Sequence, residues 1–196
     1  MRSVPESISP LPRAVRWAIL FALTLLAVAV FVPRVAAAQR TQADLSEAEI
    51  EEVREAAITP QLRVDAYRKI IDSRVTRIQD LLPKRYAPGR REDFHDLIQQ
   101  VKAISDELED NLEDYDTGHH DIRKALPKLL DSIERWISIL KQPPVDQEYE
   151  VARKLALESV ADLKEIASRL GPEQKAWFAE HPPSKDAASS PIEVPR

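Results

Sequence analysis

The densest group of side chains able to do chemistry is Asp114-Tyr115-Asp116-Thr117-Gly118-His119-His120-Asp121, with three carboxylates and two imidazoles in eight residues. Imidazole together with carboxylate suits zinc or a similar divalent ion, so His119, His120, Asp116 and Asp121 are the candidate metal ligands. A calcium loop does not fit, because Gly118 falls fifth rather than sixth and no Glu stands twelfth. The simpler reading is a polar turn between helices in which Asp116 and Asp121 act as caps. His119 and His120 are adjacent. On a helix they would point about 100° apart, so they cannot work as a one-turn ligand pair.

Glu92-x-x-His95 has the spacing that ferritin-like di-iron bundles place on two of their helices, but it occurs once here and lies round toward the outer face of its helix. Haem ligation finds no support: Met1 is the single methionine, and none of the four histidines falls on an apolar stripe. There is no nucleophile with a base, no phosphate-binding glycine loop, no inward carboxylate pair and no zinc-protease histidine pair. The expectation is a protein that is not an enzyme. A protein partner fits better, and Trp177 and Phe178 are its candidate contacts, as paired aromatics on a short terminal helix that otherwise closes the end of the fold.

Asp106, Glu107, Glu109, Asp110, Glu113, Asp114 and Asp116 form a run of carboxylates without a base among them. It reads as a solvated helix face, partly neutralised by Arg123, Lys124 and Lys128 on the following helix.

These residues sit in a helical frame. Gly occurs only three times and Cys not at all, and the long stretches rich in Ala, Leu, Glu, Lys, Arg and Ile favour helices. With no Cys there are no disulfides and no thiolate metal site. Arg2, Arg13 and Arg16 precede the apolar run Trp17–Val32, and Ala36-x-Ala38 follows, so residues 1–38 read as a signal peptide cleaved after Ala38. The chain is then periplasmic or secreted. The alternative is an uncleaved anchor helix over residues 15–32, the one route to a membrane. Removing 1–38 takes four Arg and one Glu, leaving 24 basic and 32 acidic residues and a net charge of −8. Such a chain repels phosphate backbones, which argues against a nucleic-acid partner.

Residues 39–58 contain a short helix opened by the capping box Ser46-x-x-Glu49. Residues 59–171 carry four amphipathic helices, at about 60–82, 90–115, 119–141 and 146–170, each with an apolar stripe at helical spacing. The second is the longest, with Phe94, Leu97, Ile98, Val101, Ile104, Leu108, Leu112 and Tyr115 on one face. Pro127 is the anomaly in the third, dividing or kinking it near Leu126. Gly171-Pro172 stops the fourth. Residues 172–196 are then a short helix and a disordered tail. The expected architecture is all-α, an antiparallel up-down-up-down four-helix bundle, monomeric or homodimeric.

Overall fold

The computed structural model describes residues 45–182, and the signal peptide, its cleavage point and the tail from 183 onward lie outside them. The described residues form five helices and no strand: α1 (Glu47–Ala56), α2 (Pro60–Leu81), α3 (Arg90–Thr117), α4 (Leu126–Leu140) and α5 (Glu150–Glu180). Among them, no helix is long and apolar enough to cross a membrane.

The local signals act mostly as their chemistry dictates. Ser46 and Glu49 close the capping box at the start of α1. Pro60 stands at the first turn of α2, although the Thr59 side chain before it makes no capping bond. Gly89, with φ 73°, supplies the left-handed residue that turns the chain into α3. Arg90 then donates from Nε to the Leu81 carbonyl at 2.9 Å and from Nη2 to the Leu82 carbonyl at 3.3 Å. The first residue of α3 thus satisfies carbonyls that the end of α2 leaves open.

Pro127 resolves in favour of division. It stands in the first turn of α4, where its missing N–H costs nothing, and residues 118–125 are a connector rather than the first turns of a helix. The helix expected from 146 starts later, at Glu150. Asp146 organises the approach, its side chain accepting from the Glu148 amide at 3.1 Å and its carbonyl from the Glu150 amide at 3.0 Å.

The apolar stripes meet in one core. Every residue of the α3 stripe is buried, with Tyr67, Ile71, Val75 and Ile78 of α2, Leu129, Ile133 and Trp136 of α4, and Val160, Leu163 and Leu170 of α5. On α5, Leu155 stays exposed because its neighbour Ala156 takes the inner position. Adjacent helical residues differ by about 100°, so only one of the two can face in.

The helix directions alternate along the chain, but the spatial order is α2–α3–α5–α4, and α3 and α4 are not side by side. Cross-contacts give the register. Arg74 of α2 meets Gln100 of α3 at 2.7 Å, and Tyr67 meets Glu107, so that pair is antiparallel. Lys164 of α5 meets Glu134 of α4, another antiparallel pair. Phe94 packs on Tyr149, Asp106 meets Ser159 and Asp116 meets Arg169, so α3 and α5 run parallel. Trp136 of α4 donates from Nε1 to Asp72 of α2 at 2.6 Å, and Gln61 donates to the Asp121 carbonyl at 3.0 Å, so α2 and α4 are parallel as well. Two antiparallel hairpins therefore lie face to face, and residues 118–125 cross a diagonal. The expectation that each helix borders only antiparallel neighbours fails on this crossing.

α1 lies against α2, anchored by Val53 and by an ion pair of Glu49 with both terminal nitrogens of Arg74, at 2.6 and 2.7 Å. Arg74 is only 7% exposed. Its hydrogen bonds draw the Glu49 carboxyl from its ordinary 4.5 down to about 2. Because the folded value lies below the unfolded one, this stabilisation is complete above pH 4.5 and drains away as pH falls towards 2. Acid titration followed by hydrogen exchange at residues 47–56 is expected to show α1 detaching across that window, and Glu49→Gln should leave it loosely held at pH 7.

Candidate functional site at the crossover end

The connector begins where α3 unwinds. His119 adopts the left-handed conformation with φ 51°, its amide donating to the Asp116 carbonyl at 3.1 Å and the His120 amide to the Tyr115 carbonyl at 2.8 Å. This bond pair defines a Schellman motif, with His in the place that Gly usually takes. Gly118, one residue earlier, has an ordinary negative φ. A Cβ there would meet the exposed His120 ring at 2.8 Å and the Asp114 carbonyl at 3.2 Å, so a side chain at this position would require the ring to swing aside.

The expected metal ligands are not gathered around one point. His119 stacks on Trp177, with centroids 3.8 Å apart and planes 14° apart, while His120 meets the Tyr115 ring edge-on at 5.7 Å. Asp116 pairs with Arg169 at 3.0 Å, and Asp121 holds Arg123 at 2.8 Å. The Arg123 bonds lower the Asp121 carboxyl below its usual range. Among the described residues, no group of three or more His, Cys, Asp or Glu side chains is placed to hold a metal. Glu92 and His95 lie on the outer side of α3, where the His95 ring meets Gln99 at 3.2 Å.

Trp177 and Phe178 arrive by a route the local signals oppose. Gly171-Pro172 does not stop α5, which continues to Glu180 with the proline inside it. Gln174 explains the continuation. Only 4% exposed, it accepts from the Ile122 amide at 3.1 Å and donates to the His120 carbonyl at 2.9 Å. Peptide groups that would otherwise be stranded at the end of the core are thereby paired. Trp177 is sandwiched, with His119 on one side and His181 at 4.0 Å on the other. The Arg123 guanidinium lies 4.5 Å over the Phe178 ring.

The magnitudes nearly balance. Gly and Pro inside a helix cost about 1 and about 3 kcal/mol relative to Ala. Against this stand two hydrogen bonds of about 1 kcal/mol each, two ring stacks of about 0.5–1.5 kcal/mol each and a cation–π contact of about 0.5–1 kcal/mol. The terminal turns are held by side-chain contacts, most of them with residues 119–123, rather than by helix propensity.

Asp116, His119, Glu173, Gln174, Trp177 and Phe178 line a cleft of about 140 Å³. Trp177 keeps 37% of its surface exposed beside it. Arg169 bridges the two carboxylates of the cleft, reaching Glu173 at 2.8 Å.

The acidic run is neutralised differently from the expectation. Arg123 turns to Asp121, and among the described residues Lys124 and Lys128 pair with none of the run; Lys102 on α3 itself pairs with Asp106. Glu109 is half-buried where α3 faces α5, and burial followed by the nearby charges of Asp162, Asp106, Glu113 and Asp110 pushes its carboxyl up from 4.5 to about 7. Deeper in, Tyr67 donates to Glu107, and burial followed by that bond raises the phenol well above its usual range. Among the described residues, neither the Tyr115 hydroxyl nor Arg63 Nε, both buried nearby, has a partner of full hydrogen-bond geometry, though the Arg63 guanidinium acts on the Tyr115 hydroxyl.

Comparison with family models, with curated proteins and with solved structures finds no match to this chain.

The raised Glu109 value makes a pH prediction of opposite sign to that for Glu49. The folded state holds this proton more tightly than the unfolded chain, so stability falls as pH rises from about 4.5 to about 7 and then levels. Glu109→Gln is expected to raise the melting temperature at pH 8 and leave it unchanged at pH 4, as thermal melts across that range would show.

Proposed function

We propose that this chain is an exported, non-catalytic four-helix bundle, with α1 as a strap, that binds a protein partner through the end carrying Trp177 and Phe178. The observation that supports this reading is the Trp177 indole, partly exposed yet fixed between two imidazoles beside a shallow cleft. An aromatic held in place before contact loses little conformational freedom on binding, the property that makes Trp a frequent anchor of interfaces. The clustered polar groups bear on the same point. Asp116, Asp121, Arg123 and Arg169 are engaged with one another, which suits an interface rim better than a reaction centre.

Export rests on the basic start, the apolar run and the Ala36-x-Ala38 site. The mature protein is expected to begin at Gln39, which the intact mass of material from the extracytoplasmic fraction checks directly. A photoreactive amino acid at position 173, at the cleft's edge, tests the interface. It is expected to crosslink one protein in the native envelope, and Trp177→Ala in the same background should abolish the adduct. An adduct that survives Trp177→Ala unchanged would place the contact elsewhere.

A further inference from the structure

We infer that the last turns of α5, residues 173–180, form a hinged latch over the crossover connector, opening and closing as one unit while the rest of α5 stays folded. Three independent features lead to this. The hinge is built into the sequence: Pro172 gives α5 no amide to continue its ladder, and Gly171 beside it is the most permissive residue in backbone conformation. The opened form is a conformation the chain prefers locally, since Gly followed by Pro is an ordinary helix terminus.

Apart from the Arg169–Glu173 pair along α5 itself, the closed form is held from one side. Beyond Pro172, Gln174 bonds the connector at His120 and Ile122, Trp177 stacks on His119, and Phe178 lies under Arg123. All of these partners fall within residues 119–123. The segment and the connector therefore gain or lose their contacts together, which is the requirement for a cooperative unit smaller than the whole fold.

The connector is itself under tension, because His119 sits in a left-handed conformation that a non-glycine residue resists. When the latch lifts, His119 loses the stack that offsets this strain. The Ile122 amide and the His120 carbonyl then lose the partner that Gln174 supplies. Opening thus frees a donor and an acceptor that the closed form keeps paired. The latch does not depend on Trp177 meeting a partner, so the two ideas stand or fall separately.

Hydrogen exchange of the mature protein alone tests it, read by mass spectrometry with fragments covering 156–170, 173–180 and the connector. Amides of 173–180 and that of Ile122 are expected to exchange at a common rate, at least about a hundredfold faster than those of 156–170. Pro172→Ala, which restores the missing ladder bond, should slow both together by on the order of a hundredfold. Gln174→Ala should speed both while 156–170 keeps its rate. Exchange of 173–180 at the rate of 156–170 would overturn the latch, and so would an Ile122 amide that ignores Pro172→Ala.

Discussion

A connector that crosses the diagonal of a helical body carries peptide groups over the end of an apolar core, and those shielded there need partners within the protein. Residues 118–125 meet this need with two glutamines. Gln61, in the first turn of α2, takes the Asp121 carbonyl, and Gln174, near the end of α5, takes the Ile122 amide and the His120 carbonyl. From that constraint follow the burial of a polar residue, the continuation of α5 through a proline and the placing of two aromatics at the crossover end.

Much of the fold was legible in the sequence because it depends on local periodicity. The α3 stripe is buried as its spacing requires, and Ser46 and Glu49 form their capping box. What was not legible depends on which helix lies beside which. The parallel pairing of α3 with α5 leaves no trace in either stripe, since a stripe records that a face is covered but not by what. Gly171-Pro172 was misread for a related reason: it states the local preference correctly, and tertiary contacts made by a glutamine three residues away override it.

The candidate site divides in the same way. Trp177 and Phe178 stood out by residue type, and they lie at one end with the 114–121 stretch as its partner. The four residues picked as metal ligands shared a stretch of chain but not a direction, because the left-handed turn at His119 sends the two imidazoles to different aromatic neighbours. Arg169 and Gln174 could not be singled out beforehand. Arg169 reaches Asp116 across 53 residues and Gln174 reaches Ile122 and His120 across 52 and 54, and a polar residue on a helix is ordinarily a solvated one.

The diagonal order also distributes the helix dipoles. Where all neighbours are antiparallel, positive and negative helix ends alternate around each face of a bundle; in the order α2–α3–α5–α4, like ends stand together. At the end opposite the crossover, the amino termini of α3 and α5 are neighbours and bring Glu92, Asp93 and Glu150 in their first turns. The carboxyl termini of α2 and α4 share the other half, followed by Lys84, Arg85 and Lys141. Arg90 and Arg91 stand in the first turn of α3 beside those acids, so the side chains offset the backbone field there only in part. Among the described helices the backbone dipoles are therefore divided across the width of the helical body as well as along its length.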